Sequence, residues 1–106
     1  MLGSPIVVRS EGVGVVGAIV PWNVPQFVTM SKLAPALLSG STIVIKPSPE
    51  TPLDAILMAE LLEEAGLPKG IFSVVQGDKV AVDAILQHPG IAAVSFVGST
   101  PIARYV

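Results

Sequence analysis

Four short polar segments carry the residues able to do chemistry: Pro21-Trp22-Asn23, Lys46-Pro47-Ser48-Pro49-Glu50, Gln76-Gly77-Asp78-Lys79 and Gly98-Ser99-Thr100. Each follows an apolar run of strand length, so each sets an amide, an ammonium, a carboxylate or a hydroxyl on a loop over an apolar scaffold. The last also offers backbone N–H groups at a helix start, an arrangement suited to a phosphate. Their order is consistent with a dinucleotide lying across several loops. The nearest match to a Gly-x-Gly-x-x-Gly phosphate loop is Gly12-Val13-Gly14-Val15-Val16-Gly17. It falls before or within the first strand rather than after it, which makes it a poor phosphate loop. The chain contains no Cys, which excludes a thiolate nucleophile, a disulfide and a thiolate metal site. On residue type alone, Asn23 between two prolines reads first as a turn residue, Trp22 as core and Lys46 as a solvated charge. His88 reads as a surface residue at a helix end, and Asp78 as a helix cap rather than an acid or base.

The elements that must position these loops alternate strand and helix, the pattern of βαβ units and a parallel sheet. A strand is expected over about Val13 to Val20, ended by Pro21, which cannot donate to a ladder. A helix follows from Pro25 to Leu38, with Phe27, Met30, Leu33, Ala34, Leu37 and Leu38 at helical spacing, Gly40 as its stop and Pro35 expected to kink it. Thr42-Ile43-Val44-Ile45-Lys46 is a strand buried on both faces. The next helix has Thr51 as N-cap, Pro52 at its first position, Asp54 in its first turn, and Gly66 and Pro68 beyond its end. Its Leu53, Ile56, Leu57 and Leu61 are expected to face the sheet, and Glu60, Glu63 and Glu64 water. A third strand is expected over Ile71 to Val75. Asp78 can then cap a short helix through about Gln87 that has Val82, Ile85 and Leu86 on one face. A fourth strand runs from Ile91 to Val97. A last helix, capped by Ser99 or Thr100, has only about two turns before Val106, so truncation is the expectation. The architecture is a Rossmann-like α/β fold, a mostly parallel twisted sheet with helices on both faces, and its functional edge lies at the strand carboxyl ends.

Composition bounds the rest. A chain of 106 residues is one domain at most. Apolar types make up 51% and charged types 13%, too little charge to cover an independent surface, as in a core cut from something larger. Six Lys plus Arg against eight Asp plus Glu, a net charge of −2, disfavours nucleic acid. The uncharged run over residues 12 to 31 is broken by Gly12, Gly14, Gly17, Pro21 and Pro25, so no membrane span is expected. Met1 to Pro5 lack the basic region of a secretory leader, and a cytoplasmic or matrix-like reducing setting is the default.

Five motifs, in order, carry a resemblance: Ala18-Ile19-Val20-Pro21-Trp22-Asn23, Leu33-Ala34-Pro35-Ala36-Leu37, Ile45-Lys46-Pro47-Ser48 with Thr51-Pro52, Glu64-Ala65-Gly66-Leu67-Pro68-Lys69-Gly70, and Val94-Ser95-Phe96-Val97-Gly98-Ser99-Thr100. Together they resemble the NAD(P)-dependent aldehyde dehydrogenase superfamily, and nearly the whole chain is similar to part of its cofactor-binding domain. The text from about Val75 onward looks most like the methylmalonate-semialdehyde dehydrogenase branch. The resemblance implies that Asn23 is the oxyanion-hole amide. Ile19, Val20, Pro21 and Trp22 match the loop beside the nicotinamide ribose, and Lys46 with Ser48 the adenosine-ribose site. Gly98 and Ser99 match a pyrophosphate contact, and Phe96 and Ile102 apolar cofactor contacts. Pro49 stands where the family has the acidic residue that holds the ribose hydroxyls, with Glu50 one place on, so the implied cofactor is NAD or NADP. Ala103 replaces the second glycine of the family's Gly-x-x-x-x-Gly. The family's cysteine nucleophile and general-base glutamate are absent, so the isolated chain is expected to be inactive. In an intact enzyme the partners implied are a small aldehyde and other subunits of a homo-oligomer. The alternatives are a non-catalytic nucleotide-binding module and a self-associating fragment.

Overall fold

The computed structural model describes residues 3–106; Met1 and Leu2, on which part of the leader reading rests, lie outside the described residues. Eight elements alternate: β1 (Val15–Ile19), α1 (Pro25–Ser39), β2 (Thr42–Lys46), α2 (Pro52–Glu64), β3 (Phe72–Val74), α3 (Lys79–Gln87), β4 (Ile91–Phe96) and α4 (Thr100–Tyr105). The strands form one parallel sheet in the order β3-β2-β1-β4. Consecutive strands step one way through β3, then the chain crosses back to pair β4 with β1. Because parallel crossovers are right-handed, that reversal puts α3 on the face opposite α1 and α2. The β1–β4 boundary is therefore the switch point of the sheet, where a crevice opens beyond the strand carboxyl ends.

Period-two alternation on β1 and β2 feeds both faces. Ala18, Ile43 and Ile45 point toward α1 and α2 and pack with Val20, Val28, Leu33 and Ala55 into the main core. Gly17 faces the other way, under α3. A Cβ there would lie 2.5 Å from Cγ2 of Ile85, so only glycine lets α3 come this close. At Gly12 a Cβ would lie 2.5 Å from the Gly40 carbonyl oxygen. These glycines serve close packing beneath and before β1, which is why the Gly-x-Gly-x-x-Gly text is no phosphate loop.

Helix stops follow the sequence closely. After α1, Gly40 N–H bonds to Leu37 O and Ser41 N–H to Ala36 O; after α2, Gly66 N–H bonds to Glu63 O and Leu67 N–H to Leu62 O. Both are Schellman ends with glycine at positive φ.

Several expectations are corrected. β1 starts at Val15 rather than Val13, because Gly14 at φ 111 turns the chain into the strand. β3 is shortened to Phe72–Val74 and β4 ends at Phe96. α1 continues unbroken through Pro35. Its buried stripe is Val28, Thr29, Leu33 and Ala36, leaving Phe27 74% and Leu38 90% exposed. On α2, Leu53, Ile56, Leu57 and Leu61 face outward, while Ala55 is buried and Met58 and Leu62 pack against the core. Both stripes of these apolar helices have helical spacing. Packing selects the one with small residues, Ala36 and Ala55, that let the helix approach the sheet. None of Thr51, Asp78 and Ser99 makes a side-chain capping bond, and Thr51 Oγ1 is buried without a partner. On α3, Val82 and Ile85 are buried with Ala81, while Leu86 of the expected face is half-buried. Among the described residues no helix is long and apolar enough to cross a membrane.

Candidate functional site

The exits of β1, β2 and β4 converge on one open cleft of about 640 Å³ at the switch point. Backbone bonds hold them together: Val20 N–H donates to Lys46 O at 3.2 Å, and Val97 N–H to Ile19 O at 3.1 Å. From β1 come Ile19, Val20, Pro21, Trp22 and Asn23; from β2, Lys46 and Ser48; from β4 and the turn into α4, Phe96, Gly98, Ser99 and Ile102. The eleven residues to which the resemblance gives a role thus line the same cleft, whereas Glu50, Gln76, Gly77, Lys79 and Thr100 of the four polar segments do not. A hollow of about 400 Å³ between α2 and β3, around Glu60, Glu63 and Phe72, gathers none of them. Among the described residues no cluster suited to a metal occurs.

Ile19 and Val20 form a buried apolar floor. Trp22 is 58% exposed, so it is a cleft wall and not core. Asn23 is exposed at the mouth, and its amide makes no hydrogen bond to the described residues. The residue after it, Val24, has φ 47 and ψ 49, a left-handed conformation that is costly for a β-branched residue ahead of proline. Its carbonyl accepts from Val28 N–H at 3.1 Å, so the first turn of α1 holds the strained turn that presents Asn23.

Lys46 is the least expected member. It is not solvated but 4% exposed, and its ammonium donates to Pro47 O at 2.6 Å and Gly77 O at 2.9 Å. An ammonium has three N–H donors; two serve the protein and one is left for an acceptor in the cleft. Burial lowers its pKa, and the negative charge of Asp78 partly offsets this.

Ser99 and Ile102 sit on or beside α4, which buries no residue of its own. The helix is tethered through Tyr105, whose hydroxyl donates to Asp83 and accepts from Lys79 Nζ at 2.5 Å. Lys79 also donates to Asp83 at 2.8 Å. These bonds raise the pKa of Lys79 and lower that of Asp83.

The cleft adds Val24, Phe27, Val28, Pro49, Asp78, Val82 and Val97 to the expected set. Asp78 is the chemically important addition, since its carboxylate caps nothing. It lies on the loop between β3 and α3, one of the polar segments that follow a strand.

The protein-family model described as the aldehyde dehydrogenase family matches residues 2–106. Malonate-semialdehyde dehydrogenase of Pseudomonas aeruginosa is 51% identical over 96 residues, covering 91% of this chain and 19% of that protein. Phenylacetaldehyde dehydrogenase of Pseudomonas fluorescens is 52% identical over 95 residues, covering 89% and 19%. Among solved structures, an aldehyde dehydrogenase of Mycobacterium tuberculosis complexed with NAD+ superposes with a TM-score of 0.87 at 52% identity, covering 90% of this chain and 20% of that one. A Sinorhizobium meliloti protein described as methylmalonate-semialdehyde dehydrogenase, complexed with NAD, gives 0.87 at 57% identity, covering 90% and 19%. The chain thus spans about a fifth of the length of these relatives. The sheet order, the loops gathered at its switch point and the match along almost the whole sequence agree, and the chain belongs to the aldehyde dehydrogenase family.

Proposed function

We propose that the cleft at the switch point binds NAD(P)+, and that in an intact enzyme this segment serves oxidation of an aldehyde to an acid or acyl thioester. The observation that carries this is the convergence of three strand exits on one cleft that pairs an apolar floor with a fixed ammonium. Its size is that of a small-molecule site. The residues fit the cofactor: the third N–H of Lys46 donates to an adenosine-ribose hydroxyl, with Ser48 beside it. The turn Gly98-Ser99 faces the pyrophosphate, and Phe96 and Ile102 give apolar contact. Ile19, Val20, Pro21 and Trp22 flank the nicotinamide ribose. The cofactor supplies hydride acceptance at the nicotinamide ring.

Asn23 is the catalytic residue of this segment. Its amide N–H, free of protein partners, stabilises the negative charge that develops on the aldehyde oxygen under nucleophilic attack. With no Cys among the 106 residues, the nucleophile comes from elsewhere in the enzyme, and the isolated chain is catalytically silent.

The test is a titration of the purified chain with NAD+ and separately with NADP+, following the emission of Trp22, the only tryptophan, with circular dichroism to report folding. A saturable change is expected. A folded chain that responds to neither nucleotide overturns the cofactor reading, and aldehyde-dependent NADH production by the chain alone overturns its silence.

The exposed apolar stripes of α1 and α2, with Leu38 at 90% and Leu53 at 73% exposure, favour a second reading, self-association of the chain. A clean monomer in sedimentation would rule it out.

A further inference from the structure

In doubly wound nucleotide folds, a carboxylate beyond the second strand accepts hydrogen bonds from the ribose hydroxyls, and the same negative charge repels a 2′-phosphate. Here the residue in that stretch is Pro49, whose side chain has no acceptor to offer. The neighbouring Glu50 is exposed and not part of the cleft lining; its backbone N–H is turned to Ser48 Oγ at 3.3 Å.

The charge comes instead from another loop. Among the described residues only two charged ones line the cleft, and they are of opposite sign, Lys46 and Asp78. Asp78 directly follows Gly77, whose carbonyl holds the Lys46 ammonium, so the carboxylate is built into the same anchor. It stands before α3 yet makes no capping bond. Only its backbone carbonyl is used, accepting from Ala81 and Val82 N–H. Its carboxylate oxygens have no hydrogen-bond partner among the described residues. One remaining donor on Lys46 beside free acceptors on Asp78 matches a vicinal diol, in which each hydroxyl both donates and accepts. A 2′-phosphate brings a charge of about −1.5 to −2 and no strong donor, and would meet Asp78 as a like charge.

We propose that Asp78 takes the role Pro49 cannot fill, accepting from the adenosine ribose hydroxyls and selecting NAD+ over NADP+. This rests on the cofactor reading of the cleft given above.

The test titrates the chain, Asp78→Asn, Asp78→Ala and Glu50→Gln with NAD+ and with NADP+, reading Trp22 emission, with circular dichroism for the fold. The unmodified chain is expected to prefer NAD+. Both Asp78 variants should shrink that preference by about tenfold or more, mainly by tighter NADP+ binding as the like charge is removed. Glu50→Gln should leave the preference unchanged. A preference unmoved in the Asp78 variants, or one moved by Glu50→Gln, overturns the assignment while nucleotide binding stands. A folded unmodified chain that binds neither nucleotide overturns the cofactor reading, and this inference with it.

Discussion

The ammonium of Lys46, at the end of β2, donates to the carbonyl oxygen of Gly77, 31 residues further along the chain, at 2.9 Å. One buried side chain thereby locks the exit of β2 to the loop between β3 and α3, and sets the distance between the two charged residues of the cleft. The peptide that accepts the bond is held in place by a glycine at φ 142, where a Cβ would lie 3.0 Å from the Ala81 Cβ.

Gly77→Ala should therefore act twice. The backbone conformation is strained for alanine, and the crowding against Ala81 pushes the carbonyl away from Lys46. A loss of about 1–3 kcal/mol in urea unfolding is expected, together with weaker NAD+ binding in the refolded variant. Stability and binding both matching the unmodified chain would show that the Gly77 carbonyl does not position Lys46.

Two lysines are held at a cost at neutral pH. Burial lowers the pKa of Lys46, and also that of Lys32, whose ammonium donates to Ser95 Oγ at 2.5 Å from α1 to β4. Between the lowered folded values and the unfolded value of 10.5, the folded chain holds fewer protons than the unfolded one. Stability should then rise as pH climbs through that window. Lys79 does not oppose this, because its pKa is raised and its contribution is lost only above 10.5. The urea midpoint should increase from about pH 7.5 to about pH 10, and the increase should flatten in the Lys32→Met, Lys46→Met double variant. A midpoint that falls over this range contradicts the assignment.

The strand–helix order and both Schellman ends were legible in the sequence because Gly40, Gly66 and the β-branched run of β2 each leave the backbone one good option. The cleft was legible too, since strand exits in a parallel sheet all open on one edge. What could not be read was which stripe of an almost wholly apolar helix turns inward. Leu53, Ile56, Leu57 and Leu61 on α2 satisfy helical spacing as well as Ala55, Met58 and Leu62 do, and the choice is made by how closely the helix can approach β2 and β3. The role of Asp78 was hidden for a related reason. A carboxylate before a helix has the sequence signature of a cap, and only the geometry shows that the bond is not made.

Val24 offers a local test of the strained turn behind Asn23. Its side chain is 61% exposed, so little burial is lost on removing it, while glycine adopts positive φ without penalty. Glycine elsewhere in an element costs about 0.5–1 kcal/mol. Val24→Gly should instead be neutral or stabilising by up to about 1 kcal/mol in urea unfolding. A loss greater than about 1 kcal/mol would show that the Val24 side chain contributes packing that outweighs its strain.

α4 depends on Tyr105 for its place, since none of its residues is buried. The Lys79–Asp83–Tyr105 cluster is exposed to solvent, so its worth to global stability is small. Its effect is local, holding Ser99 and Ile102 at the cleft. Tyr105→Phe should leave the urea midpoint nearly unchanged, speed amide exchange in α4, and weaken NAD+ binding by on the order of threefold. The same fraying should be reached in the unmodified chain by acid. Asp83 has a folded pKa below its unfolded 3.8, so its contribution is complete above 3.8 and is lost as pH falls through the lower folded value. Amide exchange in α4, corrected for the intrinsic pH dependence of exchange, should then converge between Tyr105→Phe and the unmodified chain only in that acidic range. Convergence already at neutral pH would mean that contacts other than this cluster hold α4 against α3.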